Sequence, residues 1–320
     1  MKKKRWFFVL TIAAVGLAFT VNAQAVEKLK VASAVRLSPV FYLPVLAGEA
    51  GGFWKQNGLD AEWTPFGSGG AMYRAVAAGE TKLGLSMVPA EFQAAAAGIP
   101  VVIISDLHPK DDFYIWVGTK SRFKEPKDLK GGAKVGVSRF GGTEHAYGRM
   151  LAKVLGLEKE LKLISTGGIP ESLGALRAQT IDGVLLSPHQ MIKFKVAGEV
   201  KELVAVADFR PQEWASYVIF ADRGFASKNA DVTKRAVRSL LQGMEHIRKN
   251  PKWAIEKMKE LNGYSEEEAK MIYQVLDFTR DGKISKKGLE NVRNFLIEYG
   301  IVSKDKAPRV EEMYTDQFTE

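Results

Sequence analysis

Short runs rich in β-branched and aliphatic residues alternate with stretches of helical period across residues 29–206. Eight such runs stand out, at 29–35, 59–64, 82–86, 101–106, 134–138, 161–165, 181–187 and 202–206. Between them apolar residues recur at spacings of three and four. Tyr147, Met150, Leu151 and Val154 follow this rule, which predicts a helix with one buried face that stops at Gly156. Strands separated by crossover helices run largely parallel and bury both faces, so the pattern predicts an α/β architecture.

Two strand-like segments, 113–119 and 215–221, have no crossover helix of their own. They read as paired crossings between two α/β lobes, with residues 26–110 and 223–320 in lobe I and 111–222 in lobe II. After Gly224 the period is helical to the end. Val237, Leu240, Leu241 and Met244 share a face, Ser265 and Glu268 form a capping box, and Leu289, Val292, Leu296 and Tyr299 share a face before Gly300. Within this tail Asp277, Thr279, Asp281 and Gly282 imitate the opening of a calcium loop. The twelfth position holds Gly288 where a bidentate Glu is required, so no calcium site is expected.

The N-terminus changes the picture of where the chain works. Lys2, Lys3, Lys4 and Arg5 precede an apolar run that closes on Ala23, Gln24 and Ala25. The run is shorter than the roughly 20 residues a spanning helix needs and ends in a small-residue cleavage pattern. Residues 1–25 are therefore expected to be a signal peptide cleaved near Ala25, with the mature chain periplasmic. These four cations carry almost half of the net charge of +9. No basic stripe with interleaved aromatics remains, which argues against nucleic acid as a partner. The sequence has no cysteine, so it offers neither a lipid-bearing terminus nor a disulfide.

In open parallel sheets the ligand crevice lies beyond the carboxyl ends of the strands, where helix N-termini also point. The first strand end offers Arg36, Ser38, Phe41 and Tyr42; the second Phe66, Ser68 and Gly69; the third Ser86 and Met87. The later half offers Ser138, Arg139, Phe140, Gly142, Thr143 and His145, then Gly168, then Ser187. Six strand ends thus present hydroxyl or glycine donors at helix starts, three from each lobe. Such convergence suits a polar or anionic small molecule, each helix dipole contributing roughly 0.3 to 1 kcal/mol. Arg36 and Arg139 are either its counter-charges or solvated surface arginines, and His145 either bonds the ligand or lies at the surface. Phe41, Tyr42, Phe66, Phe140 and Trp214 are candidate aromatic walls.

The four histidines, His108, His145, His189 and His246, lack a second His or Cys at metal spacing, so neither metal nor cofactor is expected. No nucleophile elbow, zinc-protease helix or phosphate loop is present. Catalysis is not expected.

The chain resembles the periplasmic substrate-binding proteins of the sulfonate, nitrate and taurine type, a family that also takes in thiamine-precursor binders. The resemblance runs over nearly all of the chain after the leader. It rests on Phe53-Trp54-Lys55-Gln56-Asn57-Gly58-Leu59, Phe66-Gly67-Ser68-Gly69-Gly70 before Ala75-Val76-Ala77-Ala78-Gly79, and Leu83-Gly84-Leu85-Ser86. Lys127-Asp128-Leu129-Lys130-Gly131, Gly142-Thr143, Ile181-Asp182-Gly183-Val184 and Ser187-Pro188 continue it in the same order. It implies a type II periplasmic-binding fold, hinge closure around a solute, and delivery to an ABC transporter permease. It also implies that Ser38, Ser68, Gly69, Ser86, Thr143 and Ser187 face the ligand. The chain departs from the taurine-type pattern in placing Ser187, not an aromatic residue, before Pro188, and it lacks the cysteine-rich motif of the fungal pyrimidine synthases. The expectation is a monomeric solute-binding component for an anionic or polar aromatic solute. The alternatives are a lyase-like enzyme on the same fold and a ligand-sensing partner of a membrane receptor.

Overall fold

The computed structural model describes residues 26–66, 68–110 and 113–319, so the expected leader 1–25 lies outside the described residues. The chain opens with β1 (Glu27–Ser33), α1 (Pro39–Ala50), α2 (Phe53–Gln56), β2 (Leu59–Pro65), α3 (Gly69–Ala77), β3 (Leu83–Met87), α4 (Val88–Ala96) and β4 (Val101–His108). It continues through β5 (Tyr114–Gly118), β6 (Lys134–Val137), α5 (Thr143–Val154), β7 (Lys162–Ser165), α6 (Ile169–Arg177), β8 (Gly183–Leu186), α7 (Pro188–Val196) and β9 (Val200–Ala205). After β10 (Tyr217–Asp222) come α8 (Arg223–Lys228), α9 (Ala230–Lys249), α10 (Pro251–Asn262), α11 (Glu266–Val275) and α12 (Lys286–Glu298). Each of the eight apolar runs forms a strand.

The strands make two five-stranded sheets, ordered β2-β1-β3-β10-β4 and β7-β6-β8-β5-β9. In each, one strand runs against its neighbours: β10 is antiparallel to β3 and β4, and β5 to β8 and β9. Strand 217–222, which the sequence assigned to lobe II, therefore pairs within the first sheet. The chain changes sheets between β4 and β5 and again between β9 and β10. Strand β4 is buried throughout although it ends the sheet. The C-terminal tail covers that edge, with Ile103 N–H donating to Met313 O and Thr315 N–H to Ile103 O.

This pairing fixes which edges face. Tyr217 pairs with Met87 and His108, the ends of β3 and β4, whereas Tyr114 pairs with Leu186 and Ala205, the ends of β8 and β9. His108 and Tyr114 are six residues apart, at most about 20 Å of extended chain. The carboxyl edges of both sheets thus lie on either side of the crossings. Behind the crossings one apolar cluster draws on both sheets, joining Ile103 and Val218 to Ile115 and Val135, with Leu289 and Val292 of α12.

Helix periodicity holds with one exception. Tyr147, Met150 and Leu151 are buried, but Val154 is 46% exposed, and Leu155 and Leu157 pack on the core in its place. Helices α1 and α9 approach closely where Gly243 has no side chain. A Cβ there would lie 2.9 Å from Gly48 N and closer still to Pro44 O. Both are backbone atoms, which cannot swing aside. Gly243→Ala is expected to lower the unfolding free energy by about 1–3 kcal/mol, as overpacking does, read from urea denaturation.

Candidate functional site

Ser38 caps α1 at the end of the first loop, with Pro39 at the first helical position. Its side chain makes no capping bond, and its Oγ is buried without a partner among the described residues. A buried hydroxyl left unpaired is costly, so Ser38 is a polar group held in the fold at the expense of stability. Arg36 is exposed. Phe41 is buried edge-on against Tyr217. Tyr42 has no exposed surface; its hydroxyl donates to Asn262 Oδ1, and burial pushes its phenol far above the usual range. Tyr42 is thus a core ring, not a wall of open space.

Ser68 caps α3, accepting from Ala71 N–H at 3.2 Å, and Gly69 begins the helix. Phe66 is half-buried. At the end of β3, Met87 is half-buried, and Ser86 is buried with its Oγ 2.8 Å from the Tyr73 hydroxyl. Tyr73 in turn donates to Glu91 Oε1 at 2.7 Å. Glu91 is wholly buried in the first turn of α4, and its Oε2 has no partner among the described residues. Burial pushes its carboxyl up to about 8, more than the Tyr73 and Ser86 bonds pull it down. Glu91 is therefore neutral at pH 7.

In the second sheet the loop after β6 is also occupied by an acid. Ser138 Oγ donates to Glu144 Oε2 at 3.1 Å. Desolvation raises the Glu144 carboxyl, against its own backbone N–H, Ser138 and Arg139. Arg139 is exposed, Gly142 is the buried N-cap of α5, and Thr143 is half-buried at its first position. His145 accepts from Gly141 N–H at 3.1 Å and packs edge-on against the exposed Phe140; desolvation lowers its pKa. Gly168 is the exposed N-cap of α6.

Ser187 caps α7. Its backbone N–H and its hydroxyl both donate to Gln190 Oε1, at 3.0 and 2.9 Å. Its hydroxyl proton is thereby committed, so the contact at 3.0 Å with His189 Nδ1 must be donated by the ring. Burial pushes His189 down to about 4, leaving the neutral tautomer with its lone pair on Nε2.

One small pocket lies between α1 and α7, and of the residues read from the sequence as ligand contacts it is lined by Ser187 alone. Pro39 and Val40 of α1, Ser187 and His189 at the start of α7, and Tyr217 of β10 line a space of about 30 Å³, room for a single water. Trp214 is elsewhere: it is buried at 5.3 Å from the Phe295 ring and 6.4 Å from Tyr147, in the shared core, where ring contacts surround it although its indole N–H has no partner among the described residues. The sequence reading passed over Tyr73, Glu91 and Glu144. A glutamate in the first helical turn after a buried strand end was the available signal for the two acids; Tyr73 gave none. Among the described residues no cluster of potential metal ligands occurs, and no helix is long and apolar enough to cross a membrane.

Similarity to known proteins agrees with this layout. The NMT1/THI5-like family profile matches residues 41–254. The "Putative thiamine biosynthesis protein" of Haemophilus influenzae is 25% identical over 189 residues, 56% of this chain, and the alignment spans only 60% of that relative. The periplasmic aliphatic sulphonate binding protein SsuA of Escherichia coli superposes with a TM-score of 0.76 over 89% of this chain and 91% of its own, at 16% identity. A Candida albicans protein described as having the generic periplasmic binding protein fold gives 0.73 over 91% and 96%, at 17% identity. The desulfurization enzyme DszB shares the fold too, with 0.68 over 92% and 97% at 13% identity. Two sheets facing across paired crossings, the periplasmic binding protein fold of these structures and the family profile coincide in one chain, which belongs to the NMT1/THI5-like family.

Proposed function

We propose that this chain is the solute-binding component of an ABC importer, working as a monomer outside the cytoplasm after its leader is removed. A small solute enters between the facing carboxyl edges, helix N-termini of both lobes engage it, and hinge closure is favoured by the contacts that only the closed state completes. The supporting observation is the strand pairing at Tyr114 and Tyr217, which sets those edges opposite. Catalysis is not part of this reading, since the Ser187 proton is held by Gln190 and the imidazole cannot act as its base.

The solute is of the polar aromatic kind, not a strong anion. The Ser138 hydroxyl is spent on Glu144, Ser86 is tied to Tyr73 beside Glu91, and His189 presents an acceptor. One hydroxyl that a sulfonate would need is held by a carboxyl, and a second is held in the Tyr73–Glu91 network. Ligands carrying N–H or O–H donors meet no such conflict.

A thermal-shift panel of sulfonates, nitrate, carboxylates and amino-substituted heteroaromatics tests the reading. A donor-bearing heteroaromatic is expected to raise the melting temperature, as mass action requires, while sulfonates do not. Absence of any shift across the panel overturns the receptor reading, and a shift with sulfonates alone overturns the choice of solute class. Ser38→Ala is expected to leave the melting temperature unchanged or higher, because it removes an unpaired buried hydroxyl. It should weaken the best ligand of the panel by up to about tenfold, the worth of one hydrogen bond. Equal affinity would place Ser38 outside the site.

A further inference from the structure

Besides the two covalent crossings and the apolar cluster shared by both sheets, a polar junction ties the lobes together at the end of α10. The turn at 262–264, where α10 ends and the chain passes through Gly263 at a φ of 61° toward α11, holds one element on each side. Toward the first-lobe loop, Asn262 Nδ2 donates to Leu37 O at 2.8 Å, and Asn262 Oδ1 accepts from the Tyr42 hydroxyl. Toward the second lobe, Asn262 O accepts from Lys193 Nζ at 2.9 Å, and the Tyr264 hydroxyl donates to His189 O at 2.6 Å. Lys193 Nζ also lies 5.5 Å over the Tyr264 ring. Ile192 of α7, an element of the second sheet's layer, is buried in the first-lobe core beside them.

The elements so joined are the ones that carry Ser38 and Ser187. Leu37 precedes Ser38, and His189 lies two residues after Ser187 in the first turn of α7. A single side chain, Asn262, fixes the loop by both of its polar atoms, while its backbone carbonyl and its neighbour Tyr264 hold the helix. Separating the lobes at this point breaks the bonds to Lys193 and His189 and draws Ile192 into water. Moving the loop breaks the bonds to Leu37 and Tyr42.

We propose that the turn 262–264 is a clasp that couples the position of the ligand-facing loop to lobe closure, with Asn262 and Tyr264 as positioning residues. The proposal rests on the solute-receptor reading for its purpose, but the mechanical claim stands or falls without any solute. Closure and loop geometry are set together: a guest that seats the loop strengthens the grip on α7, and loss of the grip frees the loop.

The cysteine-free sequence makes the test direct. Asp60→Cys on β2 and Lys162→Cys on β7 place spin labels at exposed positions on the edge strands of the two sheets. Dipolar distances are measured on the solute-free chain with Asn262 and Tyr264 intact, then with Tyr264→Phe and with Asn262→Ala. Tyr264→Phe keeps the ring under Lys193 and removes only the hydroxyl, so the fold is retained. Both variants are expected to give longer and broader distance distributions. Amide exchange at Phe41 and Tyr42, whose N–H groups bond Ser38 O, should accelerate at least tenfold in Asn262→Ala. Distributions that coincide with the parent's in both variants, with unchanged exchange, overturn the clasp while leaving the receptor reading intact. A blank thermal-shift panel does the reverse.

Discussion

Trp116→Ala is expected to remove about 3–5 kcal/mol of unfolding free energy, the usual loss for deleting a large buried aromatic. Trp116 lies on β5 with no exposed surface and is the largest member of a small apolar cluster with Leu173, Ile181, Val184 and Met191. This cluster is separate from the larger cores, so few neighbours can collapse into the hole. Its indole N–H donates to Leu186 O at 2.8 Å, and Leu186 immediately precedes Ser187. The ring therefore supports the start of α7 as well as the sheet. Because the loss is confined to one lobe, urea unfolding of the variant should split into two transitions, the second lobe melting first. Trp116→Phe keeps most of the volume and loses mainly the hydrogen bond, at a cost nearer 1 kcal/mol. A Trp116→Ala variant unfolding in one transition, within about 1 kcal/mol of the parent, contradicts this account of the second lobe.

How far the chain could be read in advance follows from which contacts are local. Strands such as Val101–His108 and helices such as Lys286–Glu298 declare themselves through residues a few positions apart, and they were legible. The partner of Tyr217 was not: it pairs with Met87 and His108, more than a hundred residues earlier, and only the sheet as a whole selects that register. The same distinction divides the site. Ser38 and Ser187 were visible as strand-end hydroxyls before a proline. The fate of Ser86 on β3 depended on Tyr73 of α3, and that of Ser138 on Glu144 turning back over the helix start. Tyr42 and Trp214 were read as walls because of where they fall along the chain, but ring size decided in favour of the cores. Asn262, more than two hundred positions from Tyr42, gave no signal at all.

Raising the pH from about 4.5 to 8 is expected to destabilise the folded chain, and Glu91→Gln should remove much of that slope. The carboxyl titrates at its ordinary 4.5 when unfolded and near 8 when buried, so across that window the native state holds a proton that the unfolded state has lost. Stability contributed by the neutral acid is complete below 4.5 and is lost as the pH passes through 8, at up to about 1.4 kcal/mol per pH unit. Asp106, buried and pushed from 3.8 up to about 7, has the same sign over its own range. His189, pushed from 6.5 down to about 4, has the opposite sign: its contribution is complete above 6.5 and fades as the pH falls toward 4. The imidazole therefore offsets part of the carboxyl slope on the acid side and none of it on the alkaline side, so the decline should steepen toward neutral pH. Urea midpoints for parent and Glu91→Gln should nearly coincide at pH 5 and diverge by pH 9, with the variant the more stable. Parallel curves would mean that Glu91 keeps its charge in the fold. In that case Ser86 and Tyr73 both donate to a carboxylate, and the beginning of α4 carries a fixed negative charge rather than a neutral acid.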